Sequence, residues 1–213
     1  MNTKTIMAFA VGTLLAAKGF AQGTIYVSNL ADQPFKAAAV GSDGWYAEAF
    51  YTGTNPEGYV LNSVQLLMAS PTGSPDGFAV MIYEEGASGE PSSEIGALSG
   101  TDPTSGGIYT YSTGSISLLP ATAYYIIVTS ATPITTGAFE WEMTTSSGYT
   151  SMDGWRTGGI AYGDSSDGSN WNNSRGLAFQ FAVSATAVPE PSVVSLVGLG
   201  GLALALYYRL QMR

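Results

Sequence analysis

Between Thr24 and Ala187 the chain alternates short runs of β-branched and aromatic residues with clusters of glycine, proline, serine and asparagine. None of these runs has the 3.6-residue apolar period of an amphipathic helix, and no interval is long enough for a crossover helix. The 27 glycines and the charged fraction of 11% are typical of turn-rich all-β proteins. The pattern predicts an antiparallel, jelly-roll-like β-sandwich of about eight to ten strands.

Several runs are regular enough to predict individual strands. The run Gly137 to Thr144 alternates, with Phe139, Trp141 and Met143 opposite Glu140 and Glu142. We expect Ala123 to Val128 to be buried on both faces, because it contains only apolar and aromatic residues. The other expectations are a central strand over 59–70 that ends before Pro71, a loop over 84–106, and a single last strand over 177–183.

The first 21 residues have the composition of a secretory signal peptide. Lys4 supplies a positive charge ahead of the apolar run from Ile6 to Ala17, and small residues precede a cleavage position after Ala21. An uncleaved N-terminal anchor is the alternative, although this run is short for a span. Export normally favours disulfides, but the chain has no cysteine, so its core must provide the stability alone.

A second apolar segment lies at the other end of the chain. Pro189-Glu190-Pro191 precedes a run from Val193 to Tyr208 that contains three glycines, and Arg209 and Arg213 follow it. The run has about sixteen residues, whereas a permanent membrane helix usually needs ~20. We therefore interpret it as a transient transmembrane helix, and an ordinary C-terminal membrane anchor is the alternative.

This tail resembles the PEP-CTERM sorting signal of bacteria that carry an exosortase. The resemblance covers residues 188–213 and rests on Pro189-Glu190-Pro191, the apolar helix and the basic end, which is more dilute here than is usual. It implies that a membrane-embedded enzyme of the exosortase type recognises Pro189, Glu190 and Pro191 and removes the helix. The protein would then pass to the cell surface or the extracellular polysaccharide.

The middle of the chain resembles the choice-of-anchor R family, from about Val27 to Val183. The similarity rests on Ala49-Phe50-Tyr51-Thr52-Gly53, on the segments 58–64 and 117–125, and on Gly154-Trp155. It implies a secreted β-rich module and supplies no mechanism. The expected organisation is a signal peptide over 1–21, a β-sandwich domain over 22–187 and a sorting signal over 188–213.

Composition excludes most kinds of catalysis. Without histidine or cysteine the chain has no Ser-His-Asp triad, no thiol nucleophile and no usual zinc site. Glu140 and Glu142 could serve as a glycosidase pair, since their backbones are roughly 7 Å apart on one strand face. The same spacing is typical of a solvent-facing strand, so we expect no enzyme. The net charge of −9 argues against nucleic acid as a partner.

Two sets of residues could bind a ligand. Asp164, Asp167 and Asn170 lie in a Gly-Asp-Ser-Ser-Asp-Gly-Ser-Asn loop whose oxygens could hold calcium, although such loops are more often plain turns. Aromatic rings near turns could stack on sugars, and we select Trp45, Trp155 and Trp171 for this role. Core or edge packing is the alternative for each ring.

The expected function is that of an exported cell-surface or extracellular-matrix protein with a structural or adhesive β-sandwich domain. The alternative is a carbohydrate-binding module of the extracellular polysaccharide, and a carboxylate-dependent glycosidase is a less favoured third hypothesis. The expected partners are the sorting enzyme, the membrane through the C-terminal helix, and polysaccharide.

Overall fold

The computed structural model describes residues 23–114, 116–174, 176–190 and Gln211, without the side chains of 159–164, 173 and 174. The expected signal peptide and the apolar run from Val193 to Tyr208 lie outside the described residues. Within the described part, no helix has the length and apolarity needed to cross a membrane.

The described chain forms fifteen β-strands. They are β1 Thr24–Ser28, β2 Lys36–Val40, β3 Trp45–Tyr51, β4 Tyr59–Gly73, β5 Ala79–Glu85, β6 Pro91–Leu98, β7 Gly107–Ser112, β8 Ser117–Leu118, β9 Ala123–Thr129, β10 Gly137–Thr144, β11 Thr150–Ser151, β12 Arg156–Ser165, β13 Asn172–Ser174, β14 Ala178–Phe179 and β15 Phe181–Ala187. The predicted all-β class is confirmed. The number of strands exceeds the prediction because several are short edge pieces with little apolar pattern.

The strands form two antiparallel sheets. The larger sheet has nine strands in the order β11-β1-β15-β4-β10-β14, with β7 and β8 also paired to β4 and β2 paired to β10. The smaller sheet has six strands in the order β13-β12-β3-β9-β5-β6. Long β4 therefore organises one sheet, and β3 and β9 form the centre of the other.

One continuous core joins the two sheets. It contains Phe50 and Ile126 from the smaller sheet and Trp141 and Phe181 from the larger one, all four fully buried. The alternation predicted for β10 is confirmed, since Phe139, Trp141 and Met143 enter this core while the two glutamates between them are partly exposed. Strand β9 is buried along its whole length, as its composition predicts.

Strand β4 continues through Pro71 to Gly73, so the prediction that Pro71 ends it is wrong. The register with β10 shifts between Ala138 and Glu140, where Thr72 and Ala69 are their respective partners. This irregularity leaves Ser70 and Pro71 outside the regular ladder. Because proline is tolerated at a bulge, where no amide N–H is required, the strand is not interrupted.

The predicted loop over 84–106 contains strand β6, which corrects that prediction. Strand β6 pairs with β5 at the edge of the smaller sheet, with Val80 opposite Leu98 and Ile82 opposite Gly96. Most of its side chains are exposed or partly exposed. An edge strand of this kind needs few apolar residues, so its sequence resembles that of a loop.

The last predicted strand is divided at Gln180 into β14 and β15. Strand β14 pairs with β10, whereas β15 pairs with β4 and β1. The Asn29 side chain stabilises this division, because its Nδ2 donates to the Phe179 carbonyl at 2.9 Å and its Oδ1 accepts from the Phe181 amide at 2.7 Å. Phe179, Phe181 and Val183, which alternate along these two strands, all lie in the core.

Candidate functional site

The end of β15 is fixed to the turn between β3 and β4. The Val188 amide donates to the Gly58 carbonyl at 3.1 Å, and Asn55 Nδ2 donates to the Val188 carbonyl at 3.0 Å. The same Nδ2 also donates to the Gly58 carbonyl at 2.5 Å. We call this set of contacts between Asn55, Gly58 and Val188 the exit clamp.

The exit clamp rests on a rigid turn. Gly58 has a φ of 74°, and a Cβ at this position would lie 2.4 Å from the Leu118 carbonyl oxygen. Glycine is therefore required both for the backbone conformation and for the close approach. The Asn55 amide donates to the hydroxyl of buried Tyr59 at 3.2 Å, which connects the turn to the core.

Immediately beyond the exit clamp the chain enters solvent. Pro189 and Glu190 are both exposed, and Pro191 lies outside the described residues. Glu190 borders an open cavity of about 440 Å³ beside the exit clamp. The other residues that line this cavity are Thr54, Asn55, Pro56, Tyr59, Asp153 and Ala187.

Trp155 lies inside the domain, not on its surface. Its side chain is 1% exposed and stacks on Phe50 with ring centroids 5.9 Å apart. Tyr26 stacks on it at 4.9 Å, and Tyr59 meets it edge to face at 4.9 Å. The selection of Trp155 as a sugar platform is corrected accordingly, because its neighbours cover both faces of the ring.

Trp171 and Trp45 belong to a second apolar cluster on the other face of the smaller sheet. Trp171 is 9% exposed and packs with residues of β3 and β9 such as Ala49 and Ile127. Trp45 is partly buried, and its Nε1 donates to the Ser42 carbonyl at 3.1 Å. Gly168 lies so close that a Cβ there would be 2.8 Å from the Trp45 ring. The selection of Trp171 as a sugar platform is corrected because its ring is buried, whereas a sugar contact at the partly exposed Trp45 stays a prediction.

An exposed aromatic ring is found elsewhere, at Tyr149. This side chain is 44% exposed and borders a cavity of about 240 Å³. Buried Asn29 reaches the same cavity from the division between β14 and β15. The remaining lining residues are Thr145, Ser146, Ser147, Gly148, Thr157, Gly176, Leu177 and Ala178.

The expected calcium loop forms a hydrogen-bonded turn around Asp167. Asp167 Oδ1 accepts hydrogen bonds from the Ser169 amide at 2.9 Å, the Ser169 hydroxyl at 2.7 Å and the Ser165 hydroxyl at 3.1 Å. The bonds from Ser169 lower the pKa of Asp167. Asn170 donates its Nδ2 to the Ser169 hydroxyl at 3.0 Å, and the side chain of Asp164 lies outside the described residues. The described residues include no group of three or more acidic side chains that could hold a metal, and calcium binding stays a prediction.

Glu140 and Glu142 lie on the partly exposed side of β10. Glu140 Oε1 accepts a hydrogen bond of 3.5 Å from the Thr72 hydroxyl on β4. Partial burial raises the pKa of Glu140, the Thr72 hydroxyl lowers it, and the neighbouring charge of Glu142 raises it. The geometry is that of two acidic side chains along a sheet surface.

Sequence reasoning overlooked a carboxyl group inside the core. Glu48 lies on β3 between Ala47 and Ala49 and is 0% exposed. Its Oε2 accepts a hydrogen bond from the Phe179 amide at 2.8 Å, while its Oε1 has no partner among the described residues. Burial raises the pKa of Glu48 to about 8, against a lowering by the Phe179 amide. The sequence does contain a signal for this burial, because Glu48 is two residues before the core residue Phe50 on β3 and therefore points to the same side of the strand.

The side chain of Glu48 therefore connects the two sheets. Its own strand is central in the smaller sheet, whereas Phe179 belongs to β14 of the larger one. Together with Asn29, it supplies an acceptor for an amide beside Gln180, where the last strand divides. This arrangement indicates a structural role that depends on the protonation of one carboxyl group.

Comparison with known proteins found no family model and no curated protein that matches this sequence.

Proposed function

We propose that this chain is an exported surface protein whose C-terminal segment is a sorting signal read through Pro189, Glu190 and Pro191. The observation that carries the proposal is the position of the motif. The last strand ends at Ala187, the exit clamp holds Val188, and the next two residues are exposed. A processing enzyme could therefore reach the motif without unfolding the domain.

The organisation that follows has three parts. Residues 1–21 would be removed on export, residues 22–187 would form the mature domain, and residues 188–213 would hold it at the membrane until an exosortase-type enzyme acts. The protein would then remain at the cell surface or in the extracellular matrix.

For the mature domain we propose a structural or adhesive role in a jelly-roll-like sandwich. The support is its construction, with two antiparallel sheets around one core rich in aromatic side chains. Several large rings are fully buried there, among them Trp141, Trp155, Tyr59 and Tyr124. A core of this size compensates for the absence of disulfides in an exported domain.

Variants of the motif test the sorting proposal. In native cells we expect Glu190→Ala to retain the C-terminal segment and to stay in the membrane fraction, whereas the unmodified chain is released from that fraction. Glu94→Ala is the matched control, because Glu94 is an exposed carboxylate on β6 of the smaller sheet and does not line the cavity beside the exit clamp. Normal release of the Glu190→Ala protein would contradict the proposal.

A carbohydrate-binding module is the second candidate, and the cavity beside Tyr149 is the observation that favours it. An exposed phenol ring, a buried amide and several hydroxyl groups are the chemistry that sugar recognition uses. In a binding assay with polysaccharide isolated from the native matrix, Tyr149→Ala should lose retention. Tyr51→Ala on the smaller sheet is the comparison variant, and equal retention by both variants and the unmodified chain would contradict this candidate.

A further inference from the structure

We propose that Asn55 is a positioning residue that presents the sorting motif at a fixed place beside the domain. The processing enzyme then reads the motif together with the domain surface around Thr54, Pro56 and Asp153. This inference rests on the proposed sorting function and adds a second determinant to it, one that lies about 130 residues before the motif in the chain.

The geometry of the exit clamp gives Asn55 this role. Asn55 Nδ2 donates to the carbonyls of both Gly58 and Val188, and the Val188 amide donates to the Gly58 carbonyl. Asn55 thus connects the first residue after β15 to a turn that is itself fixed by Tyr59. Without it, Val188 would keep a single backbone hydrogen bond to the domain.

The motif is also short and stiff. Pro191 is three residues from Val188, so it can lie at most ~10 Å from the exit clamp even in a fully extended chain. Two prolines fix φ and restrict Val188 and Glu190, the residues before them, to extended conformations. An enzyme that binds this motif must therefore approach the domain within the same distance.

Two measurements on Asn55→Asp test the inference. Aspartate keeps the size of the side chain but removes both donated hydrogen bonds, so Val188 keeps only the hydrogen bond from its own amide to the Gly58 carbonyl. In the purified full chain in detergent, we expect proteinase K to cut about tenfold faster near Val188, since two hydrogen bonds are lost. In native cells, we expect pulse-chase labelling to show about tenfold slower removal of the C-terminal segment.

Faster cutting by proteinase K together with slower removal of the C-terminal segment would identify Asn55 as a positioning residue. Asn170→Asp, at an exposed asparagine in the turn that follows β12, is the matched control and should change neither rate. Faster cutting by proteinase K with unchanged or faster processing would overturn the inference, because an accessible motif would then suffice. Unchanged proteinase K cutting would overturn it as well, since Asn55 would not hold Val188. An unmodified chain that keeps its C-terminal segment would instead contradict the proposed function.

A second variant leaves Asn55 in place and so keeps the test valid if Asn55→Asp does not fold. Two glycines inserted between Val188 and Pro189 move the motif up to ~7 Å farther from the exit clamp. We expect slower processing with an unchanged thermal midpoint. The same insertion between Ser88 and Gly89, in the β5–β6 turn, is the control. Normal processing of the chain with the spacer would overturn the inference.

Discussion

The buried carboxyl of Glu48 makes the stability of this domain depend on pH, and Glu48→Gln should remove that dependence. Burial raises the pKa of Glu48 from 4.5 to about 8 in the folded chain, while the Phe179 amide lowers it. The folded state thus retains a proton that the unfolded state releases above its own pKa. Stability from this group is complete below pH 4.5 and is lost as the pH rises towards 8.

The size of the effect follows from the same shift. Each pH unit between the two pKa values lowers the free energy of unfolding by about 1.4 kcal/mol. Over the whole interval the loss is on the order of 5 kcal/mol, comparable with the total stability of many domains. Glutamine resembles the protonated acid in shape and can still accept a hydrogen bond from the Phe179 amide. The stability of the Glu48→Gln variant should therefore not fall as the pH rises from 4.5 to 8.

Urea unfolding of the full chain in detergent, followed by tryptophan fluorescence, measures the difference. The two proteins should have similar stability near pH 5, and Glu48→Gln should be more stable by several kcal/mol near pH 9. Glu57→Gln removes one carboxylate from an exposed turn and controls for net charge. A difference between Glu48→Gln and the unmodified chain that is the same at both pH values would refute the reasoning.

Two further predictions concern packing and backbone conformation. Trp155→Ala should lower the free energy of unfolding by ~3–5 kcal/mol, since it leaves a large cavity in the core. Trp155→Phe should cost clearly less in the same assay, because it keeps a ring there and removes a buried Nε1 that has no partner among the described residues; equal losses would contradict the packing of Trp155. Gly58→Ala should cost more than Gly89→Ala in thermal unfolding, because both have positive φ but only Gly58 approaches a carbonyl. A similar midpoint for both glycine variants would be inconsistent with the contact to Leu118.

The sequence carries the strand pattern where burial is one-sided or complete. The alternation of β10 and the apolar run of β9 predict both strands and their buried faces, because side chains alternate strictly across a strand. Edge strands such as β6 cannot be predicted in this way, because little of their surface is buried and their sequence has no clear apolar alternation. The end of β4 is wrongly predicted at Pro71 for another reason. Whether a proline ends a strand depends on the register of the partner strand, which the sequence does not show.

Only part of the candidate site can be predicted from the sequence. The Pro-Glu-Pro motif is local and can be read directly, but Asn55 acquires its role through a contact 133 positions away. The burial of Glu48 and Trp155 cannot be predicted from residue type for a related reason. Residue type predicts an exposed carboxylate and an aromatic near a turn, whereas the tertiary fold encloses both.

The intact mass of the protein recovered from its native surface or medium tests the central proposal most directly. The account predicts a chain that lacks residues 1–21 and ends close to Pro191. A mass that still includes Val193 to Arg213 would contradict it and would identify the C-terminal segment as a permanent anchor.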